Sequence, residues 1–350
     1  FCDTMSLHAT ITGASRGFGR ALAVELSKCP ATFDELHLVL VARQADQLAA
    51  TEALVREARA KAMVGGASDG ADLRLTVDCL TVDLANLETL AEQTAPLWSQ
   101  LREVASRSPK PRSLFFNNAG SVGPLGYVAD DLGSGAGGAG GTGGGLSSLL
   151  AMQASINLNV TSALWLSSQF THIFGAPRTD TGGAAAGDDG NGGGGTAEVV
   201  DAAAGAGEAE EGEQAMADCI VNVSSLAAVQ AFPSWGVYCS GKAARDMFHT
   251  TIHKEQEHAK RLTTLNYAPG PLDTEMQAEL RTSETIDRST REYFIESKNN
   301  GSLVKTEDSA RVCVALVLSD GVFESGAHVD FFDVKEGNGE GGALTIEQGA

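Results

Sequence analysis

The chain has 350 residues, 41 of them glycine, and 45 acidic against 25 basic side chains give a formal net charge of −20. That balance argues against a nucleic-acid partner, whose binding depends on Lys and Arg at phosphates, and no apolar run reaches the roughly 18 residues that span a bilayer. The opening FCDTMSLHAT has neither the basic region nor the apolar core of a secretory signal, so a cytoplasmic protein without membrane contact is expected.

In chain order, HATITGAS runs apolar into a glycine-rich turn and RALAVELSK follows with helical spacing, giving strand, loop, helix. In TGASRGFG, Gly13, Gly17 and Gly19 are spaced G-x-x-x-G-x-G, with Ser15, Arg16 and Phe18 between them. Glycine permits the tight turn and lets backbone N–H groups approach a pyrophosphate at the helix N-terminus. LHLVLVAR, residues 36–43, is an apolar strand ending in Arg43. Here a βαβ dinucleotide binder selects its cofactor: an acid takes the ribose 2′-OH, a basic residue the 2′-phosphate. Arg43, together with Arg16, predicts NADP rather than NAD. An amphipathic helix over 44–62 is broken by VGGASDGAD, and the strand LRLTVDCLTVDL carries Asp83 to the carboxyl edge of the sheet, where ligands gather. A helix over 86–107 leads into the strand SLFFNNAG, where Asn117, Asn118, Ala119 and Gly120 allow close backbone approach to a flat ligand.

Two stretches, 129–148 and 175–217, are glycine-rich with almost nothing to bury, and read as flexible insertions, as does the shorter break at about 64–72. The second holds nine acidic residues against Arg178 alone, so the excess charge falls largely outside the folded part. Between them LLAMQASINLNVTSALWLSSQFTHIF is one long helix with Asn157 and Asn159 inside it. A buried amide in mid-helix distorts the helix or holds a water there.

CIVNV then reads as a buried strand ending near Ser225, and YCSGK places Tyr238 and Lys242 four apart on one helix face. A tyrosine phenol has a reference pKa of about 10, which a nearby ammonium lowers. Such a phenol exchanges a proton with a substrate oxygen that the Ser225 hydroxyl holds beside it. This helix runs to about Lys260, and RLTTLNYAPGPLDTEM is a strand closed by PGP and Thr274. Residues 276–300 are polar and helical, suited to a lid; EDSARVCVALVLS is a helix, SGAHVDFFDV a final strand, and 336–350 a loose tail. One domain over 1–335, enlarged by insertions, is expected. Six cysteines without a CxxC pair read as reduced thiols, and His249 and His253, lacking the acid of HExxH, as a helix face without metal.

TGASRGFG, NNAG, a helical Asn, Ser225 and YCSGK in this order resemble the short-chain dehydrogenase/reductase family across most of the chain outside the insertions. The resemblance implies an α/β fold, a doubly wound parallel sheet of Rossmann type between helices, with NADPH as hydride donor. It implies that Ser225 orients a carbonyl, Tyr238 donates the proton, and Lys242 binds the nicotinamide ribose and depresses the tyrosine pKa. Asn159, in NVTSALWLSS, matches the helical Asn that completes the set. Gly13, Ser15, Arg16, Gly17, Phe18, Gly19, Arg43, Asp83 and Asn117 fall at cofactor positions. The segment SGAHVDFFD is similar to that of members reducing a side-chain carbonyl on a pterin on the way to tetrahydrobiopterin, where Asp330 matches the carboxylate that anchors the pterin's guanidine-like edge. A homodimer built on two helices per subunit is also implied. The alternatives are another carbonyl reductase or alcohol dehydrogenase of the family, and a non-catalytic cofactor-binding regulator.

Overall fold

The computed structural model describes residues 6–28, 33–65, 74–129, 144–176, 216–319, 321–336 and 344–347. The expected insertions at about 64–72, 129–148 and 175–217 lie mostly outside these residues. The described elements belong to one compact unit, residues 1–176 and 217–350.

The central apolar runs become parallel strands because they are covered on both faces, whereas the edge strand over residues 74–81 is partly exposed. Strands β1 (Ser6–Thr12), β2 (Glu35–Ala42), β3 (Arg74–Thr81), β4 (Arg112–Asn117), β5 (Asp218–Val223), β6 (Leu262–Ala268) and β7 (His328–Asp330) form one sheet in the order β3-β2-β1-β4-β5-β6-β7. Every pairing in it is parallel. Alternate residues of a strand face opposite sides. Leu114 and Phe116 of β4 join a core with α1 (Gly17–Leu26) and α9 (Thr306–Leu318), whereas Phe115 joins the other with α3 (Leu87–Ser106) and α5 (Ser162–Phe174). The Phe115 ring stacks on Phe170 at 5.4 Å; truncating such a buried ring costs about 3–5 kcal/mol. The strand order reverses between β1 and β4, and the crevice beyond their carboxyl ends is where open α/β sheets bind ligands.

Four elements differ from the sequence expectation. The long helix over 149–174 starts earlier, as α4 (Gly144–Ile156), and reaches α5 through a π-turn at Asn157–Thr161, centred on buried Asn159. The polar lid is two helices, α7 (Glu275–Thr282) and α8 (Arg288–Asn299), because Asp287 caps the second by accepting from Thr290 N at 3.0 Å. The last sheet strand is only three residues long, ended where Asp330 caps a 3-10 turn over Phe331–Asp333. Part of the expected loose tail is ordered: β9 (Leu344–Ile346) pairs antiparallel with β8 (Val334–Glu336). Among the described residues no helix is long and apolar enough to cross a membrane.

His8, on β1, is buried and edge-on to the His37 ring at 4.8 Å, with neither ring nitrogen finding a hydrogen-bond partner among the described residues. Burial first, then the charges of His37 and Arg107, lower its pKa from 6.5 to about 3. The unfolded chain therefore takes up this proton before the folded one, so the contribution is intact above pH 6.5 and is lost as pH falls toward 3. The cost is about 2 kcal/mol by about pH 5, at about 1.4 kcal/mol per unit. His8→Phe is expected to narrow the drop in unfolding midpoint between pH 7 and 5; equal drops in variant and parent would contradict this.

Candidate active site

A cleft of about 1980 Å³ lies along the carboxyl ends of the strands. Its floor begins where β1 ends. Gly13 and Gly17 have φ of +68° and +54°, in the left-handed region that favours glycine. A Cβ on Gly19 would lie 2.4 Å from the Gly13 carbonyl oxygen, so this glycine lets α1 pack against its own loop. Gly13, Ser15, Arg16, Gly17 and Phe18 line the cleft, while Gly19 supports it from behind. Phe18 stacks on Tyr267 at 6.1 Å, and Arg16 pairs with Glu275 at the start of α7. The loop is tied to the end of β4 through Thr12 Oγ1, which accepts from Asn118 N at 2.9 Å and Ala119 N at 3.0 Å.

Arg43 stands exposed in the cleft wall just after β2. Asp83 follows β3, but its carboxylate accepts from Ala85 N at 3.1 Å, and its neighbours Val82 and Leu84 line the cleft instead. Asn117 also departs from expectation. It shares the α5 side of β4 with Phe115, so its amide donates to Ala163 O at 2.7 Å and Ser167 Oγ at 2.9 Å, away from the cleft. Asn118 is the amide that lines the cleft.

Ser225 leaves β5 in an extended conformation and accepts from Ala227 N at 3.2 Å, capping a 3-10 turn. Tyr238 and Lys242 lie one turn apart in α6 (Gly236–Gln256), both buried and both lining the cleft. The Tyr238 phenol and Ser225 line the same cleft, and Lys242 Nζ donates to Val223 O at 2.6 Å while lying 5.6 Å from the tyrosine ring centroid. The expected depression of the phenol is not what the protein shows. Burial pushes Tyr238 up to about 12, outweighing the lowering by the nearby Ser225 hydroxyl and the Arg245 charge. Lys242 is pushed well down by burial first and then by Arg245. The pair thus holds a protonated phenol, which can donate a proton, beside a lysine that gives up its charge readily. Asn159 does not face the substrate region: its Oδ1 accepts from Ser121 N at 2.9 Å and its Nδ2 donates to Ser121 O at 2.9 Å and Ser155 Oγ at 3.0 Å. It clamps the loop after β4, and the π-turn is what turns it there.

Asp330 and Phe332 line the far end of the same cleft. Asp330 Oδ1 accepts from Phe332 N at 3.0 Å, and burial, with Asp333 nearby, raises the carboxyl pKa against the lowering by that N–H and by His328. The cleft wall beside Tyr238 includes Phe232, Trp235 and Phe294, with Trp235 edge-on to Tyr238 at 5.5 Å. Trp235 Nε1 and Gln277 Oε1 are buried there without hydrogen-bond partners among the described residues. Two further buried residues of α6, Arg245 and Asp246, were not singled out by the sequence. Asp246 continues the Tyr238–Lys242 stripe by one more turn and accepts from Ser224 Oγ at 2.6 Å and His328 Nδ1 at 2.7 Å. Both residues are visible in the sequence just after Lys242, but their burial is not.

Sheet order, glycine loop and a serine–tyrosine–lysine group facing one cleft define a nucleotide-binding oxidoreductase. The family model described as short chain dehydrogenase matches residues 211–285. Sepiapterin reductase of Xenopus tropicalis is 31% identical over 329 residues, covering 94% of this chain and 97% of that protein. The rat enzyme of the same name (Rattus norvegicus) is 30% identical over 325 residues, 93% of this chain and 95% of its own. Among solved structures, the KRED1-Pglu enzyme superposes with a TM-score of 0.59 at 19% identity, covering 92% of this chain and 99% of that one. The chain belongs to the short-chain dehydrogenase/reductase family. It is an oxidoreductase of a family that uses nicotinamide cofactors, and its similarity to sepiapterin reductases extends over nearly its whole length.

Proposed function

We propose that the chain reduces the side-chain carbonyl of a pterin such as sepiapterin, using NADPH, in tetrahydrobiopterin synthesis. The observation that carries the reading is the presence of the Asp330 carboxylate in the same cleft as Ser225, Tyr238 and Lys242. A carboxylate suits a guanidine-like edge with two N–H donors, because the paired hydrogen bonds fix orientation as well as adding affinity. The similarity to sepiapterin reductases supports the same substrate class.

The residues present fit a nicotinamide dinucleotide. The left-handed glycines open a cradle that a Cβ would fill, since one on Gly13 would lie 2.9 Å from Asn118 Nδ2. Gly13, Ser15, Arg16, Gly17 and Phe18 would hold the pyrophosphate and Arg43 the 2′-phosphate, with Gly19 and Asn117 supporting the loops and Asp83 holding the turn that presents Val82 and Leu84 to the cleft. When bound, NADPH supplies the hydride. Ser225 holds the substrate oxygen beside the phenol, and Tyr238 gives it a proton as negative charge develops there. Lys242 binds the nicotinamide ribose, and Asn159 holds the Ser121 loop over the site. The exposed Leu149 and Leu150 of α4 support a homodimer through that face, and a cytoplasmic enzyme acting on a free pterin is proposed.

The cofactor assignment is tested by Kd values for NADPH and NADH from cofactor fluorescence. The wild type is expected to prefer NADPH, and Arg43→Ala to lose about tenfold or more in NADPH affinity with little change for NADH. An equal loss for both cofactors, or a wild-type preference for NADH, would overturn it.

A further inference from the structure

Arg245 has no solvent exposure, and none of the roles above uses it. It follows Lys242 by three residues and Tyr238 by seven in α6, so the three share a face. Helical side chains lean toward the helix N-terminus, which directs this one toward Lys242. Its fork reaches neutral oxygens: Nε donates to Asn222 Oδ1 at 2.7 Å, Nη1 to Ala119 O at 3.1 Å, and Nη2 to Asn117 O. The neighbouring carboxylate, Asp246, is taken up by Ser224, by Asn222 Nδ2 at 2.9 Å and by His328. Among the described residues, then, the buried guanidinium bonds no carboxylate. In a low-dielectric interior such a charge is felt further than it would be in water. Burial lowers its pKa, but a guanidinium is not deprotonated in proteins, so its charge stays fixed.

Arg245 also holds the site's geometry. A Cβ on Gly120 would lie 3.0 Å from Asn159 Oδ1 and 3.9 Å from Arg245 Nη1. Asn159 and Arg245 therefore grip the loop over residues 117–121 from two sides, and Ala119, Gly120 and Ser121 of that loop line the cleft.

We propose that Arg245 is a positioning residue for proton delivery: its guanidinium, anchored on three neutral oxygens, supplies the fixed positive charge that stabilises the phenolate left when Tyr238 gives its proton to the substrate oxygen. The inference rests on Tyr238 being the proton donor. In that step the phenol O–H bond breaks, the proton joins the alkoxide oxygen, and the negative charge passes to the phenolate. The titratable and charged groups facing Arg245 are Tyr238, Lys242, Asp246 and His249 on its own helix, with Cys239 acting on Tyr238 and His328 of β7 arriving through Asp246. Strands β4 and β5 present only neutral oxygens to it. The charge acts in the lowering direction on both Tyr238 and Lys242.

The test compares Arg245→Gln, which removes the charge, with Arg245→Lys, which keeps it and loses the fork. Titration of Tyr238 is followed by NMR of Cζ-labelled tyrosine in the NADP-bound enzyme, its signal assigned by the Tyr238→Phe spectrum. Arg245→Gln is expected to move the Tyr238 midpoint up by about one unit or more, and to lower kcat for carbonyl reduction about tenfold with KM changed less than about threefold. Arg245→Lys should titrate within a few tenths of a unit of wild type. An unchanged midpoint in Arg245→Gln, or an equal shift in both variants, would overturn the inference. If Arg245→Gln does not fold, Arg245→Lys decides alone: a midpoint near wild type supports the fixed charge, and a shift of about a unit refutes it. A wild type unable to reduce sepiapterin would instead refute the pterin reading, because the NMR titration needs no turnover.

Discussion

Tyr238→Phe is expected to lower kcat for carbonyl reduction by about 10²- to 10⁴-fold, the range that a positioned general acid contributes, while Kd for NADPH stays within about twofold. The phenol is buried and pushed up to about 12, so it carries its proton throughout the neutral range, as a donor must. Phenylalanine keeps the ring against Trp235 and removes only the hydroxyl. Full turnover in the variant would assign the proton to another group, and lost cofactor binding would show that the substitution disturbed the fold. The non-catalytic regulator predicts the opposite pattern, with biological activity kept in Tyr238→Phe.

Asp330→Ala is expected to cut kcat/KM for sepiapterin about ten- to hundredfold, the loss of a charge-assisted hydrogen bond, and to leave a simple ketone without N–H donors within about threefold. The difference between substrates is what separates anchoring from folding, because Asp330 also caps the Phe331–Asp333 turn. Asp330→Asn adds a pH test. Burial and Asp333 raise the Asp330 carboxyl pKa, so as pH falls it is protonated before an exposed carboxylate, and pterin affinity should weaken from that higher pH downward. The asparagine variant should lack this limb. Equal losses for both substrates in Asp330→Ala would move the reading to another carbonyl reductase of the family.

The sheet was legible wherever a strand is buried on both faces, as in LHLVLVA, LFFN and CIVNV. Tyr238 and Lys242 were legible because helical spacing fixes a shared face whatever the surroundings. What the sequence left open depends on contacts between distant segments. Asn117 and Asn118 are adjacent amides, and only the packing of Phe115 on α5 decides which of them faces the cleft. The phenol pKa runs opposite to the expected direction, since the lysine is visible in YCSGK but the burial of both side chains is not. Arg245 and Asp246 sit in plain view after Lys242, yet nothing local marks them as buried rather than solvated. The pairing of Leu344–Ile346 with Val334–Glu336 joins short segments across a glycine-rich stretch, which no periodicity announces.

The central claim is most directly tested by following NADPH absorbance with sepiapterin and the wild-type enzyme, with NADH in parallel. The account predicts turnover with NADPH, slower turnover with NADH, and loss of the NADPH rate in Tyr238→Phe. NADPH that binds while sepiapterin stays unreduced, under conditions where an unrelated ketone is reduced, would contradict it.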